Sequence, residues 1–111
     1  MKKAIITGAY DTDVGELHGS SSMGLHAEAA LGAIADAGLN KADIDGVLCA
    51  YSFTEPHLML SSVFCEYMNI QPKFNAAIEV GGATACVMVM QAAALVESGM
   101  CRNVLVVTGD N

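Results

Sequence analysis

The stretch "ATACVMVMQAAALV", from Ala83 to Val96, constrains this chain more than any other. Only Thr84 and Gln91 are polar in it, so a helix here has no face suited to water, whereas a surface helix carries an apolar stripe of limited width. Such a helix has to be covered on all sides, and one sheet covers one side. If Cys86, Met88, Val89, Met90 and Leu95 stayed partly uncovered, the penalty at about 1.5 to 3 kcal/mol each would be on the order of 7 to 15 kcal/mol. That matches the whole stability of a typical domain, about 5 to 15 kcal/mol. The sequence therefore predicts that the chain packs against further chain, a partner subunit, or both.

The flanking elements follow from patterning. "KKAIITGAY" is a β-branched apolar run ending at Gly8 and reads as a first strand; residues 9 to 20 are acidic, aperiodic loop. "SSSMGLHAEAALGAIADAG" offers serine N-caps, places Ala27, Ala30, Leu31 and Ile34 on one face and Glu28, Gly32 and Asp36 on the other, and stops at Gly38. A second strand is expected from Gly46 to Tyr51. Pro56 suits a first helical turn, and "LMLSSVFCEYMNI" is a second helix halted before Pro72. "KFNAAIEV" is a third strand, "GGATACVMVMQAAALVESG" the third helix, ending at Gly99, and "NVLVVTG" a fourth strand. The order β-α-β-α-β-α-β predicts an α/β fold with a mainly parallel sheet.

Composition narrows the partners. The net charge of -7, from 12 acidic against 5 basic residues, has no local Lys/Arg cluster to offset it, which argues against nucleic acid and anionic membrane surfaces. The apolar run around residues 83 to 96 is shorter than the roughly 20 residues that a membrane span needs. Cys49, Cys65, Cys86 and Cys101 lie 15 to 21 residues apart, with no C-x-x-C pair and no histidine at zinc-ligand spacing, so free thiols are expected and no metal site. The N-terminal segment reaches Asp11 and Asp13 before any signal-type apolar region forms. These features predict a soluble, cytoplasmic protein of one domain.

"HAEAALGAIADAGLNKADIDGVL", "PHLMLSSVFCEYMNI", "FNAAIEVGGATA" and "ALVESGMCRNVLVVTGDN" together resemble the N-terminal part of the thiolase superfamily, above all its sterol-carrier or lipid-transfer-type members and their thiolase-like relatives. The resemblance runs over nearly all of the chain in order. It implies a thiolase-like half-domain, residues 1–111 being incomplete relative to the family, with strand order 3-2-1-4 and the all-apolar third helix in a central layer between two sheets. It implies that the rest of the fold comes from further chain or a partner, and that the edge strand from Phe74 to Val80 pairs across a homo-oligomer axis. A small zinc-ribbon/OB-fold subunit that binds acyl-CoA is an implied partner, and a coenzyme A thioester, not a covalently bound cofactor, is the implied substrate.

In that family the third helix begins at a nucleophilic cysteine in a Cys-small-Ser/Thr-Gly motif. Counting back from Gly99 and matching "GATA" to the motif puts Gly82 at the nucleophile position, with Ala83, Thr84 and Ala85 after it, and Cys86 a full turn inside the helix. Cys86 is accordingly expected to be a buried packing residue. Gly81, Gly82, Ala83 and Thr84 are the candidate substrate-binding residues: amides at a helix N-terminus, with its positive dipole, can hold a thioester oxygen or an oxyanion. The alternative for the glycines is a tight strand-to-helix turn. Without a thiol no acyl-enzyme forms, but an enolate-stabilising site would still serve a retro-aldol or retro-Claisen cleavage. The resemblance thus implies carbon-carbon bond formation or cleavage on acyl-CoA thioesters, of acyltransferase or lyase type. A non-catalytic subunit serving assembly is the other reading.

The remaining candidates weigh less. Cys49 and Cys65 read as packing residues, and Cys101 as a turn residue open to solvent. His18 belongs to an acidic, solvated loop with Asp11, Asp13 and Glu16, His26 to the boundary of the first helix, and His57 to a helix start, where it is the least bland candidate base. A nucleotide-binding, short-chain-dehydrogenase-like reading of "TGAYDTDVG" fails on its spacing. Thr12 and Val14 stand where glycines are needed, and Asp11 and Asp13 would repel phosphates.

Overall fold

A computed structural model describes residues 3–110. Helix α1 (Ser22–Asp36) is followed by β1 (Gly46–Ala50), α2 (Leu60–Met68), β2 (Phe74–Ile78), α3 (Thr84–Glu97) and β3 (Val104–Val107). Short 3-10 turns, Lys41–Asp43 and Gly81–Ala83, precede β1 and α3.

Local chemistry sets the ends of these elements. The Ser21 side chain accepts the Gly24 amide at 2.9 Å and caps α1. At its other end Gly38 takes φ +72, and the amides of Gly38 and Leu39 donate back to the Ala35 and Ile34 carbonyls, the paired bonds of a Schellman stop. Asn69, at φ 56, ends α2 in the same way, its amide and that of Ile70 reaching the Glu66 and Cys65 carbonyls. The second helix starts at Leu60, so Pro56 and Leu58 lie in the loop before it, and not in its first turn.

The sheet has three parallel strands in the order β2-β1-β3, with Gly46 opposite both Phe74 and Val104. Strand alternation splits the core in two. Val47 and Cys49 of β1, with Leu105 and Val107 of β3, face α1 and α2 and join Ala30, Ile34, Phe64 and Met68 in the larger cluster. Leu48 faces the opposite side, where it meets Met88 and Leu95 of α3 together with Cys101. As the central strand, β1 is buried at Val47, Leu48 and Cys49.

Two expectations are corrected here. No strand forms from Lys3 to Tyr10, so the order 3-2-1-4 does not occur: the expected fourth strand, β3, pairs directly with the expected second, β1. Both edges of β1 are taken, by β2 and β3, so the opening segment cannot pair with it as that order requires. Ile5 and Ile6 are instead 79% and 81% exposed, and the segment is held by Ala4 N–H to Glu97 Oε2 at 3.5 Å and Ala9 N–H to Asp36 Oδ2 at 2.9 Å. Leu31 is 49% exposed and not part of the core, because Ala27, Ala30 and Ile34 already fill the face of α1 that meets α2 and the sheet. As expected of a helix met by one sheet, α3 is covered on one side: Met88 and Leu95 are buried, while Val89 and Met90 are 47% and 71% exposed.

Candidate functional site

In parallel α/β sheets, ligands bind beyond the carboxyl ends of the strands, where helices present their N-termini. A cavity of about 290 Å³ lies at that place here. It is lined by Tyr51, Glu79 and Thr108, each the first residue past the end of β1, β2 and β3 respectively, and by Ala50, Phe53 and the start of α3. The ring of Phe53 stands edge-on to that of Tyr51, with centroids 5.7 Å apart.

The turn into α3 is tied down by side chains. Thr84 Oγ1 accepts the Val80 amide at 3.1 Å and donates to the Gly81 carbonyl at 2.7 Å, and the Gly81 amide donates to Glu79 Oε1 at 3.0 Å. Gly81 sits at φ +71, a conformation that L side chains rarely adopt, which explains a glycine there. Gly82 has no such constraint. A Cβ added to it would meet no atom within 4 Å, so the position faces open space and carries no side chain. No side chain caps α3, which leaves its positive end directed at the cavity. Of the four candidate substrate-binding residues, Gly81, Gly82 and Thr84 line the cavity; Ala83 is exposed beside it.

The exit loops are clamped behind the mouth. The Asp110 carboxylate accepts the Phe53 amide at 2.9 Å, the Thr54 amide at 3.3 Å, Ser52 Oγ at 2.9 Å and Thr54 Oγ1. Ser22 adds a second tie, its amide donating to Glu55 Oε1 and its hydroxyl to the Gly109 carbonyl at 2.8 Å. The loops after β1 and β3 and the start of α1 are therefore tied together, and Phe53 is held through its own amide.

The cysteines and histidines divide differently from the sequence expectation. Cys86 is exposed in this chain, on the side of α3 that no described element covers. Cys101, expected open in a turn, is buried under Gly46 and the end of α3, with Sγ directed at the Asp45 carbonyl 3.7 Å away. Burial pushes the Cys49 thiol up to about 12, the neighbouring Cys65 adding to it, and raises Cys65 as well. Burial raises Cys101 too, with Asp45 adding and Lys73 opposing. These three are neutral thiols and no nucleophiles at neutral pH. His26, expected at a boundary, is fully buried: its Nδ1 lies 2.9 Å from the Ser22 carbonyl, its ring packs on Phe64, and Gly109 leaves room for it. His57 is half-buried, with Nδ1 2.9 Å from the Glu55 carbonyl, and is not among the cavity's lining residues. His18 is exposed beside Glu16 at 3.9 Å. Among the described residues no group of three or more His, Cys, Asp and Glu side chains is arranged to hold a metal ion, and no helix is long and apolar enough to cross a membrane.

Two curated proteins align over most of the chain. A steroid side-chain-cleaving aldolase from Thermomonospora curvata is 36% identical over 104 residues, covering 92% of this chain and 25% of that protein. A 17-hydroxy-3-oxo-4-pregnene-20-carboxyl-CoA lyase from Mycobacterium tuberculosis is 34% identical over 99 residues, covering 88% and 25%. Among solved structures, an Ltp2-ChsH2(DUF35) aldolase superposes with a TM-score of 0.79 at 35% identity, over 94% of this chain and 26% of that one. The 3-oxoacyl-[acyl-carrier-protein] synthase III of Aquifex aeolicus VF5 superposes with a TM-score of 0.74 at 17% identity, over 83% and 30%, a likeness of fold alone. The fold is thiolase-like. This thiolase-like chain spans about a quarter of the length of the curated relatives it matches, and no family model matches it.

Sequence reasoning passed over Tyr51, Glu79, Thr108 and Asp110. The available signal was positional: the residue after each apolar strand of a parallel sheet faces the ligand end of the fold.

Proposed function

We propose that this chain is part of a thiolase-like lyase that cleaves a carbon-carbon bond of an acyl-CoA thioester by a retro-aldol reaction. The observation that carries this reading is Gly82, which stands at the mouth of the cavity beside the positive end of α3, with open space and no thiol. An acyl transfer through a covalent thioester requires a nucleophile at the helix start. A retro-aldol cleavage requires only that the enolate oxygen be stabilised as it forms, and uncapped amides at a helix N-terminus suit that charge. The names of the two curated relatives, an aldolase and an acyl-CoA lyase, support the same reaction class.

The substrate class is a coenzyme A thioester with a hydroxyl on the carbon β to the thioester carbonyl, and it is not held covalently. The exposed side of α3 is the surface that the remainder of the thiolase fold covers. The outer edge of β2, unpaired among the described residues, is the homo-oligomer contact within the Phe74 to Val80 segment. The two-part name of the Ltp2-ChsH2(DUF35) aldolase supports a second, small acyl-CoA-binding subunit.

The test is direct. The intact protein, incubated with a β-hydroxyacyl-CoA whose β carbon is fully substituted, is expected to release a ketone and a shortened acyl-CoA, both visible by liquid chromatography with mass detection. An intact protein that binds the thioester without cleaving it would make the chain a non-catalytic assembly subunit.

A further inference from the structure

Retro-aldol cleavage needs a group that removes the proton of the β-hydroxyl, and none of the three histidines is among the cavity's lining residues. His26 is buried among α1, Phe64 and Gly109, His57 is turned to the Glu55 carbonyl, and His18 stands in solvent. Two titratable side chains do line the cavity, Tyr51 and Glu79. Of these two side-chain types, a carboxylate is the usual proton acceptor and a phenol the usual proton donor. Resting on the retro-aldol reading above, we infer that Glu79 is the general base of this site.

Three features place it there. It is the first residue past β2, so the sheet fixes its Cα at the cavity rim. The Gly81 amide holds Oε1 at 3.0 Å, which orients the carboxylate and leaves Oε2 for a substrate hydroxyl. The same turn carries Gly82, where no side chain intervenes between the carboxylate and a substrate seated at the start of α3.

The step balances without a co-reactant. Glu79 takes the proton of the β-hydroxyl; the oxygen lone pair forms the ketone C=O as the Cα–Cβ bond breaks; that electron pair passes into the thioester as an enolate. Protonation of the enolate at Cα by the Glu79 carboxylic acid then releases the shortened acyl-CoA and restores the carboxylate. One negative charge moves from Glu79 to the enolate oxygen and back, and at both stations it lies near the positive end of α3. The helix therefore stabilises the charge throughout, and the Gly81 amide is a positioning group for the base.

The experiment compares Glu79→Gln and Glu79→Asp with the wild type in the intact protein, using the β-hydroxyacyl-CoA substrate described above. Glu79→Gln keeps the amide contact but cannot accept a proton, so kcat should fall by about 100-fold or more with KM changed less than about threefold. Glu79→Asp should retain a measurable rate with the acid limb of its pH–rate profile still present, while that limb is lost in Glu79→Gln. Because Glu79 is exposed, both variants are expected to melt with the wild type. A Glu79→Gln enzyme with a wild-type rate and pH profile overturns this inference and leaves the retro-aldol reading standing. A wild-type protein that cleaves no such thioester overturns both.

Discussion

The two faces of the sheet are both met by apolar helices and end up in different states. Against α1 and α2, side chains from both helices, from β1 and from β3 close into one cluster, with Phe64, Val47 and Cys49 fully sealed. Against α3 only Leu48, Met88, Leu95 and Cys101 are buried, although α3 is the more apolar helix. The first face is a finished core with Ser21, Gly38 and Asn69 fixing the ends of its helices. The second is half of one: α3 has met its sheet but nothing lies on its back. The difference shows that the hydrophobicity of a helix does not track how well this stretch of chain covers it. The cavity is lined by the start of α3, so under the proposed reading whatever covers that helix also borders the site.

The largest effect is expected in the finished core. Phe64→Ala should destabilise the intact protein by about 3 to 5 kcal/mol in urea unfolding, because it opens a cavity where nothing can collapse. The matching probe on the other face is Met90→Ala. If the back of α3 is covered in the intact protein, the loss should be about 2 kcal/mol or more. A change below about 0.5 kcal/mol would mean that Met90 stays in water and the two faces differ for another reason.

A smaller effect comes from the buried thiols. Unfolded cysteines ionise near 9.0, whereas Cys49 in the fold does so only at about 12, and Cys65 and Cys101 are shifted in the same direction. Above pH 9.0 the folded state therefore binds more protons than the unfolded one, and stability falls with rising pH. The slope that Cys49 contributes should be about 1 kcal/mol per pH unit until it ionises near 12, and Cys49→Ala should flatten the melting temperature profile over that range. The smallest effect is expected at Gly82→Cys, which should leave the melting temperature within about 2 °C, since its side chain enters open space, while adding a thiol that iodoacetamide labels faster than Cys49, Cys65 or Cys101.

Much of this was readable from residue patterns. The caps at Ser21 and Gly38, the apolar run of β1 and the stop at Gly99 are local signals, and the elements they bound sit where patterning puts them. The opening "KKAIITGAY" shows where local signals stop: its β propensity is real, but a strand exists only where an edge is free, and β3 holds that edge of β1. The burial of His26 and Cys101 and the exposure of Cys86 and Leu31 depend in the same way on which elements meet. For the site, the glycines of the α3 turn stood out in the sequence because Gly-Gly is rare inside apolar stretches. Glu79 did not, since a single glutamate acquires meaning only when the register of three parallel strands puts it beside Tyr51 and Thr108.

In the proposed reaction, carbon-carbon cleavage at this site proceeds without a covalent acyl-protein. Rapid-quench mass spectrometry of the intact protein during turnover of a β-hydroxyacyl-CoA tests it most directly. Ketone and shortened acyl-CoA are expected to form while the mass of the protein stays unchanged at every time point. An acyl adduct that forms and decays at the rate of turnover, on Cys86 or on any other residue, would contradict it.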